Sequence, residues 1–251
     1  MKTIAIANRK GGVGKSTTAA TLAAGLTRKG LRVLAIDMDP QRNLTQLMGG
    51  TSEGGDLLRL MKNEISPSQA IEHTDTGDLI PATAMLSTAD VTIQRSEREY
   101  ILRSILFYLA RNYDYCILDC PPALGILTMN ALIAADYVVI PAKPDMLSTG
   151  GIDDISHTVE FVRKHGNPDI KIAGILLTQY KGRANLTKGL TEYIEEKAAA
   201  IGTRVFAAHI RDSIKVGEAQ TVGKDLLSYA PKAPVTLDYL AFIEELMKEM
   251  E

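Results

Sequence analysis

The chain has 251 residues, a formal net charge of −2, 45% hydrophobic and 23% charged residues, an ordinary globular composition with enough length for one α/β core. It is no polycation, so any binding to DNA or an anionic membrane has to come from a local patch. Two cysteines exclude a disulfide framework, and with neither a secretion leader nor a membrane span in view, a soluble cytoplasmic protein is expected.

Short β-rich apolar runs alternate with longer helical ones, the pattern of βαβ units around a parallel sheet. Residues 3–7 form a buried-strand run that leads directly into a glycine-rich loop. Helix signals run from Lys15 through Leu26 and stop at Gly30. Further strands are expected at 32–36, ending on Asp37, at 115–118, ending on Asp119, and at 137–140, 171–177 and 205–208. Helices are expected over 96–109, 152–164, 186–200 and 237–250. Residues 49–55 and 74–78 read as turns, with no linker, internal repeat or low-complexity tract anywhere. The expected fold is one doubly wound α/β domain over 1–251, with a mainly parallel sheet and helices on both faces.

The glycine-rich loop carries the chemistry. A Gly-x-x-x-x-Gly-Lys-Ser/Thr loop needs glycines so that successive backbone N–H groups can turn inward around phosphate oxygens. Here the standard first glycine would fall on Arg9, so the plain motif fails by one residue. The variant Lys10-Gly11-Gly12-Val13-Gly14-Lys15-Ser16-Thr17 fits in full. Lys15 is expected on the β- and γ-phosphates of ATP and the Ser16 hydroxyl on Mg²⁺, with the N-terminus of the next helix adding positive potential.

Two strand ends supply carboxylates. Asp37-Met38-Asp39-Pro40-Gln41 closes the second strand, and Asp119 closes a later one before Cys120-Pro121-Pro122. Ligands of parallel sheets sit outside the carboxyl ends of strands, where one carboxylate can orient water and another can hold Mg²⁺. Each aspartate alone has a plainer but weaker alternative, a helix cap or turn residue. Three strand ends aimed at one nucleotide are more specific than any one.

With those motifs in place, Lys-Gly-Gly-Val-Gly-Lys-Ser-Thr, Asp-Met-Asp-Pro-Gln-Arg-Asn-Leu-Thr and Leu-Asp-Cys-Pro-Pro-Ala-Leu-Gly together resemble the ParA (Soj-like) partition ATPases. These belong to the deviant Walker A class of P-loop proteins, which also includes MinD and the nitrogenase iron protein. The resemblance continues through 174–178 and 216–219 to the final helix. It implies that Lys10 reaches across an ATP-sandwich homodimer to the partner's nucleotide. It implies that Asp39 positions the hydrolytic water, while Asp37 supports magnesium and loop geometry and Asp119 holds Mg²⁺. It further implies non-specific DNA binding by the ATP-bound dimer, association with the nucleoid in that state, and stimulation by a ParB-type partner. With the first strand expected from residue 3, no N-terminal DNA-binding extension is expected.

A DNA surface is sought in the acid-free stretch 171–191, which holds Lys171, Lys181, Arg183 and Lys188. Arg183 falls where the family places a DNA-binding arginine, and Lys215 where it has a second basic residue. Phosphate contacts need only positive charge in reach; an ordinary solvated basic face is the plain alternative. Where the family carries Pro-Arg-Asn, this chain has Arg211-Asp212-Ser213, which puts base recognition in question and adds negative charge near the DNA face.

Other candidates carry less. Cys116 and Cys120 read as small buried thiols, and His73, His157, His165 and His209 lack metal spacing. Met38, Met48, Met61, Met85 and Met129 read as core or loop filler. The final helix spaces Leu237, Leu240, Ile243 and Met247 as an apolar stripe beside mostly acidic positions. That ending speaks against the runner-up, a MinD-like positioning ATPase cycling on a membrane or scaffold. A metal-cluster carrier of the same class would need cysteines paired across a dimer or a C-terminal Cys-x-x-Cys, and the latter is absent.

Overall fold

The computed structural model describes residues 1–182 and 185–251. A seven-stranded sheet has the order β3-β4-β2-β5-β1-β6-β7. Its strands are β1 (Lys2–Ile6), β2 (Val33–Asp37), β3 (Glu72–Thr74), β4 (Gly77–Ile80), β5 (Tyr115–Asp119), β6 (Tyr137–Ala142) and β7 (Lys171–Leu177). All neighbours are parallel except the β3–β4 hairpin, whose turn lies within the expected 74–78 segment. The fold is the doubly wound α/β arrangement that the alternation of elements predicts.

Period-2 alternation separates two cores. Ile4, Ile6 and Ile117 face one side of the sheet, under the alanine-rich helix α1 (Lys15–Arg28) and the helix Pro234–Glu249. Ala5, Leu34, Leu118 and Ile140 face the other, under helices Ile101–Leu109, Ile126–Ala134 and Met146–His165. Gly30 ends α1 at φ +81. Its N–H reaches the Thr27 carbonyl and the Leu31 N–H reaches that of Leu26, the paired bonds that close a helix on a left-handed residue. Among the described residues no helix is long and apolar enough to cross a membrane.

Two expected elements differ. Residues 205–208 lie beside β7 but form no strand, only the single bridge Ile175 to Val205. The Glu245 carboxylate accepts the N–H groups of Ala207 and Ala208 at 3.0 and 3.1 Å, which takes away the donors a continued ladder would use. The final helix also turns a different face inward. Val235, Tyr239, Phe242, Ile243 and Leu246 are buried, while Leu237 and Leu240 stand 55% and 36% exposed. The aromatic pair buries more apolar area than two leucines and so decides the rotation. Its acids are paired as well: Asp238 binds Arg211, and Glu249 binds Arg204.

Helix 126–134, missed in the sequence, is apolar nearly all round and so lacks a helical stripe. Helix Ile214–Thr221 was missed too; it is short and carries Gly217 inside it.

The Phe206 ring lies flat against β7 at Gly174, where an added Cβ would sit 2.6 to 3.0 Å from three ring atoms. Phe242 backs that ring edge-on at 5.0 Å, so it has nowhere to go. Gly174→Ala should therefore cost ~1–3 kcal/mol by overpacking and lower the melting temperature by roughly 2–4 °C per kcal/mol. Adding Phe206→Leu should return part of that loss in thermal unfolding followed by circular dichroism.

Candidate nucleotide site

Three parallel strands end side by side at the site. Ile6 of β1 and Asp37 of β2 both pair in register with Asp119 of β5. The loop after β1 carries the lysines, the turn after β2 carries Asp39, and Asp119 itself closes the central strand.

The loop from Asn8 to Lys15 is held from both sides. Asn8 donates to the Pro141 carbonyl at 2.7 Å and accepts the Lys10 N–H at 2.9 Å. Val13 is fully buried as an anchor, and its carbonyl accepts the Thr178 hydroxyl at 2.8 Å. Gln179 donates to the Gly12 carbonyl at 3.0 Å. Gly12 and Gly14 sit at φ +69 and +87, in the left-handed region that favours glycine. Gly14 also opens α1, which aims the positive end of that helix at the loop.

Lys15 is buried, and its ammonium donates to the Lys10 carbonyl at 3.2 Å. Burial pushes its pKa down, while the charges of Asp119 and Asp39 oppose the shift. Lys10 instead points to the rim, where its ammonium pairs with Asp145 at 2.8 Å. Burial raises the Asp145 carboxyl, but the bonds from Lys10 and Ser148 outweigh it and leave the group below its ordinary value.

The three aspartates have separate situations. Asp37 is fully buried, and its oxygens accept the Asp39 N–H at 3.0 Å, the Thr45 N–H at 2.7 Å and the Thr45 hydroxyl at 2.7 Å. Burial pushes its pKa up to about 6 against the pull of those bonds. Asp39 lines the cleft and accepts the Gln41 N–H at 2.9 Å. Asp119 is fully buried with neither carboxylate oxygen hydrogen-bonded. The Ser16 hydroxyl is close enough to favour its charged form, yet the pair lacks the geometry of a hydrogen bond. Burial first, and Asp37 next, raise the Asp119 carboxyl well above its usual range.

Two orphaned oxygens at the floor of a phosphate loop fit a hydrated cation. Mg²⁺ at such sites takes one or two protein ligands, phosphates and water. Ser16 and Asp119 would hold it, with Asp37, which accepts three hydrogen bonds from the chain, as a supporting carboxylate behind them.

A cleft of about 390 Å³ opens over Gly12, Lys15, Ser16 and Asp39. Gln41, Asn43 and Gln46 line it from the turn after β2, and Gln220 from the helix Ile214–Thr221. The Gln220 amide donates to the Thr17 hydroxyl at 2.9 Å. A second pocket of about 350 Å³ adjoins it, walled by Thr178, Gln179, Arg211, Asp212 and Gly217. The divergent 211–213 segment thus borders the phosphate loop. Sequence reasoning missed Thr178, Gln179 and Gln220; the first two directly follow a strand, the signal that did find Asp37 and Asp119.

Two of the expected DNA residues are engaged by acids of the chain itself. Lys181 pairs with Asp212 at 3.3 Å and Lys215 with Glu218 at 2.7 Å. Lys188 is exposed on the helix Asn185–Ala200, and Lys171 begins β7, ~20 Å of strand away from Lys181. Arg183 lies outside the described residues. Cys116 and Cys120 are fully buried, with thiols that burial pushes up, the state of inert core cysteines.

A family profile described as an AAA domain matches residues 1–172. The chain is 38% identical over 250 residues to the chromosome partitioning protein ParA of Myxococcus xanthus, covering 98% of this chain and 87% of that protein. It is 38% identical over 251 residues to the sporulation initiation inhibitor protein Soj of Bacillus subtilis, covering 97% of each. Among solved structures, a cobyrinic acid a,c-diamide synthase from Mycobacterium smegmatis with bound ATP analogue and magnesium matches with TM-score 0.87. That match has 31% identity and covers 100% of this chain and 96% of the other.

A buried carboxylate without partners costs stability, so a residue kept for cation binding is dispensable for folding. Asp119→Asn is expected to leave the melting temperature of the nucleotide-free protein unchanged or higher. The same variant should lose the gain in ATP affinity that Mg²⁺ confers, read by titration with and without the metal. A melting temperature lower by several degrees would make Asp119 a structural residue.

Proposed function

Because the chain belongs to the ParA/Soj family of partition ATPases, we propose that it is a Mg²⁺-dependent ATP switch: ATP closes a homodimer that binds DNA without sequence preference, and hydrolysis, stimulated by a ParB-type partner, releases it. The observation that carries the reading is the meeting of Lys15, Asp39 and the unpartnered Asp119 at adjacent strand ends. Partition names on relatives matched over nearly their full length support the biological setting.

In this reading the backbone N–H groups from Lys10 to Thr17 surround the phosphates, and Lys15 draws the β- and γ-phosphates inward. Ser16 and Asp119, with Asp37 in support, would hold Mg²⁺, which would supply charge neutralisation at the reacting phosphate. Asp39 holds the attacking water, and its own orientation comes from the Asp37-fixed turn. Lys10 serves the partner's nucleotide, which requires it to leave Asp145. Lys181, Lys188 and Lys215, with Arg183, provide phosphate contacts to DNA; two of them must exchange an acidic partner for a DNA phosphate. The protein acts in the cytoplasm on the nucleoid, without a membrane partner.

Lys15→Ala and Asp39→Ala should each lower ATP turnover at least 100-fold, Lys15→Ala by losing nucleotide affinity as well. DNA binding is measured with ADP, ATP and a slowly hydrolysed analogue across a salt series. Binding should appear with the analogue, vanish with ADP and fall steeply as salt rises. Binding that ignores the nucleotide, or never appears, removes the DNA switch while leaving the ATPase in place.

A further inference from the structure

A third lysine stands at the phosphate loop. Lys143 directly follows β6, and a Cβ placed on Gly12 would lie 4.0 Å from its ammonium nitrogen. The side chain is half-buried. Yet it makes no ion pair with any described residue. The carboxylate nearest in sequence, Asp145, turns its Oδ1 to Lys10 and to the Ser148 N–H, at 2.8 and 2.7 Å, and forms no ion pair with Lys143.

The electrostatics of the spot make that ammonium costly. Lys143 precedes by two residues the N-cap Asp145 of the helix Met146–His165, so it lies at the positive end of a helix dipole. The N-terminus of α1 points at the same loop from the other side. Lys10 is matched by Asp145, and Lys15 has Asp119 and Asp39 as charged neighbours. Among these three lysines Lys143 has no ion pair with a described residue, and an anion entering the cleft would supply one.

The position indicates which anion. Lys15 donates to the Lys10 carbonyl, which places the Lys10 end of the loop beside the β- and γ-phosphates, away from Thr17 and Gln220. The Lys143 ammonium stands beside Gly12, and the Lys143 carbonyl accepts the N–H of Asp145, the residue that pairs with Lys10. We propose that Lys143 is an additional ligand of the terminal phosphate of ATP, from the nucleotide in its own cleft or from that of a second copy facing it. The inference rests on the ATPase reading and deepens it: Lys143 makes the site discriminate triphosphate from diphosphate. In a dimer it does more. Two copies brought together without terminal phosphates would oppose unmatched lysines, so the same residue disfavours closure in the ADP state.

The test uses the full chain with Lys143→Gln and Lys143→Arg. Binding of a slowly hydrolysed ATP analogue and of ADP is measured by calorimetry, below and above the concentration at which the analogue produces dimers in sedimentation. Lys143→Gln should weaken the analogue about 10-fold, the loss of one charge-assisted contact, and change ADP binding less than about twofold. Lys143→Arg should keep most of the discrimination. The nucleotide-free melting temperature of Lys143→Gln should not fall, which separates a ligand from a structural residue. Weakening at every protein concentration assigns the contact to the protein's own nucleotide; weakening only where dimers form assigns it to the partner's. Equal loss for both nucleotides, or no loss, overturns the proposal with the ATPase reading intact. Wild-type protein that binds neither nucleotide overturns both.

Discussion

The structure depends on how buried carboxylates are disposed at the ends of β2 and β5. Asp37 and Asp119 are cross-strand partners in a parallel sheet, both fully out of water; burial raises the pKa of each, and the charge of Asp37 raises that of Asp119 further. Two such groups cannot both ionise without compensation. The chain compensates one of them internally. Two N–H groups and a hydroxyl bond Asp37, and through them it pins the turn that carries Asp39 and Gln41. Asp119 receives no hydrogen bond, so its charge is left for something brought in from outside.

That asymmetry divides the labour that similar residues at similar positions would otherwise share. A bonded aspartate is a fixture, and Thr45 extends its reach, since the same hydroxyl accepts the Ala82 N–H at the end of β4. An unbonded aspartate is a reservoir of unfavourable free energy that a cation or a neighbouring ammonium discharges. Lys15 meets part of this demand across the loop: burial pushes its pKa down, and the charge of Asp119 pulls it back up. Binding energy for nucleotide and metal therefore resides in interactions that the free protein lacks.

Much of this was legible in the residues. Glycines at 12 and 14 announce left-handed backbone, and the structure puts both there. Aspartates closing apolar runs announce strand ends, and the fold sets Asp37 and Asp119 side by side. What could not be read was pairing across distance. Asp212 was legible as negative charge near the acid-free stretch 171–191, but its pairing with Lys181 in particular was not. Residues 205–208 have strand composition, yet Glu245, about 40 positions later, takes their N–H groups. The stripe Leu237–Leu240–Ile243–Met247 has helical spacing, yet Tyr239 and Phe242 claim the interior. Periodicity reports which face can be buried; which face is buried depends on the neighbours.

The phosphate loop and the end of β7 are one mechanical unit. Thr178 holds the Val13 carbonyl and Gln179 the Gly12 carbonyl, so two successive loop peptides are fixed by two successive residues beyond the strand. Gln179 maintains its bond from φ +50, a backbone region that costs a non-glycine residue free energy. Tyr180 continues the connection, bridging to Arg211, whose guanidinium is gripped by Asp238 of the final helix at 2.7 and 2.8 Å. A rotation of the Gly12 peptide on phosphate binding would therefore be felt first at Gln179 and next at the Lys181–Asp212 pair. The chain needs no distant relay between its nucleotide cleft and the basic segment after β7, because the same few hydrogen bonds bound both.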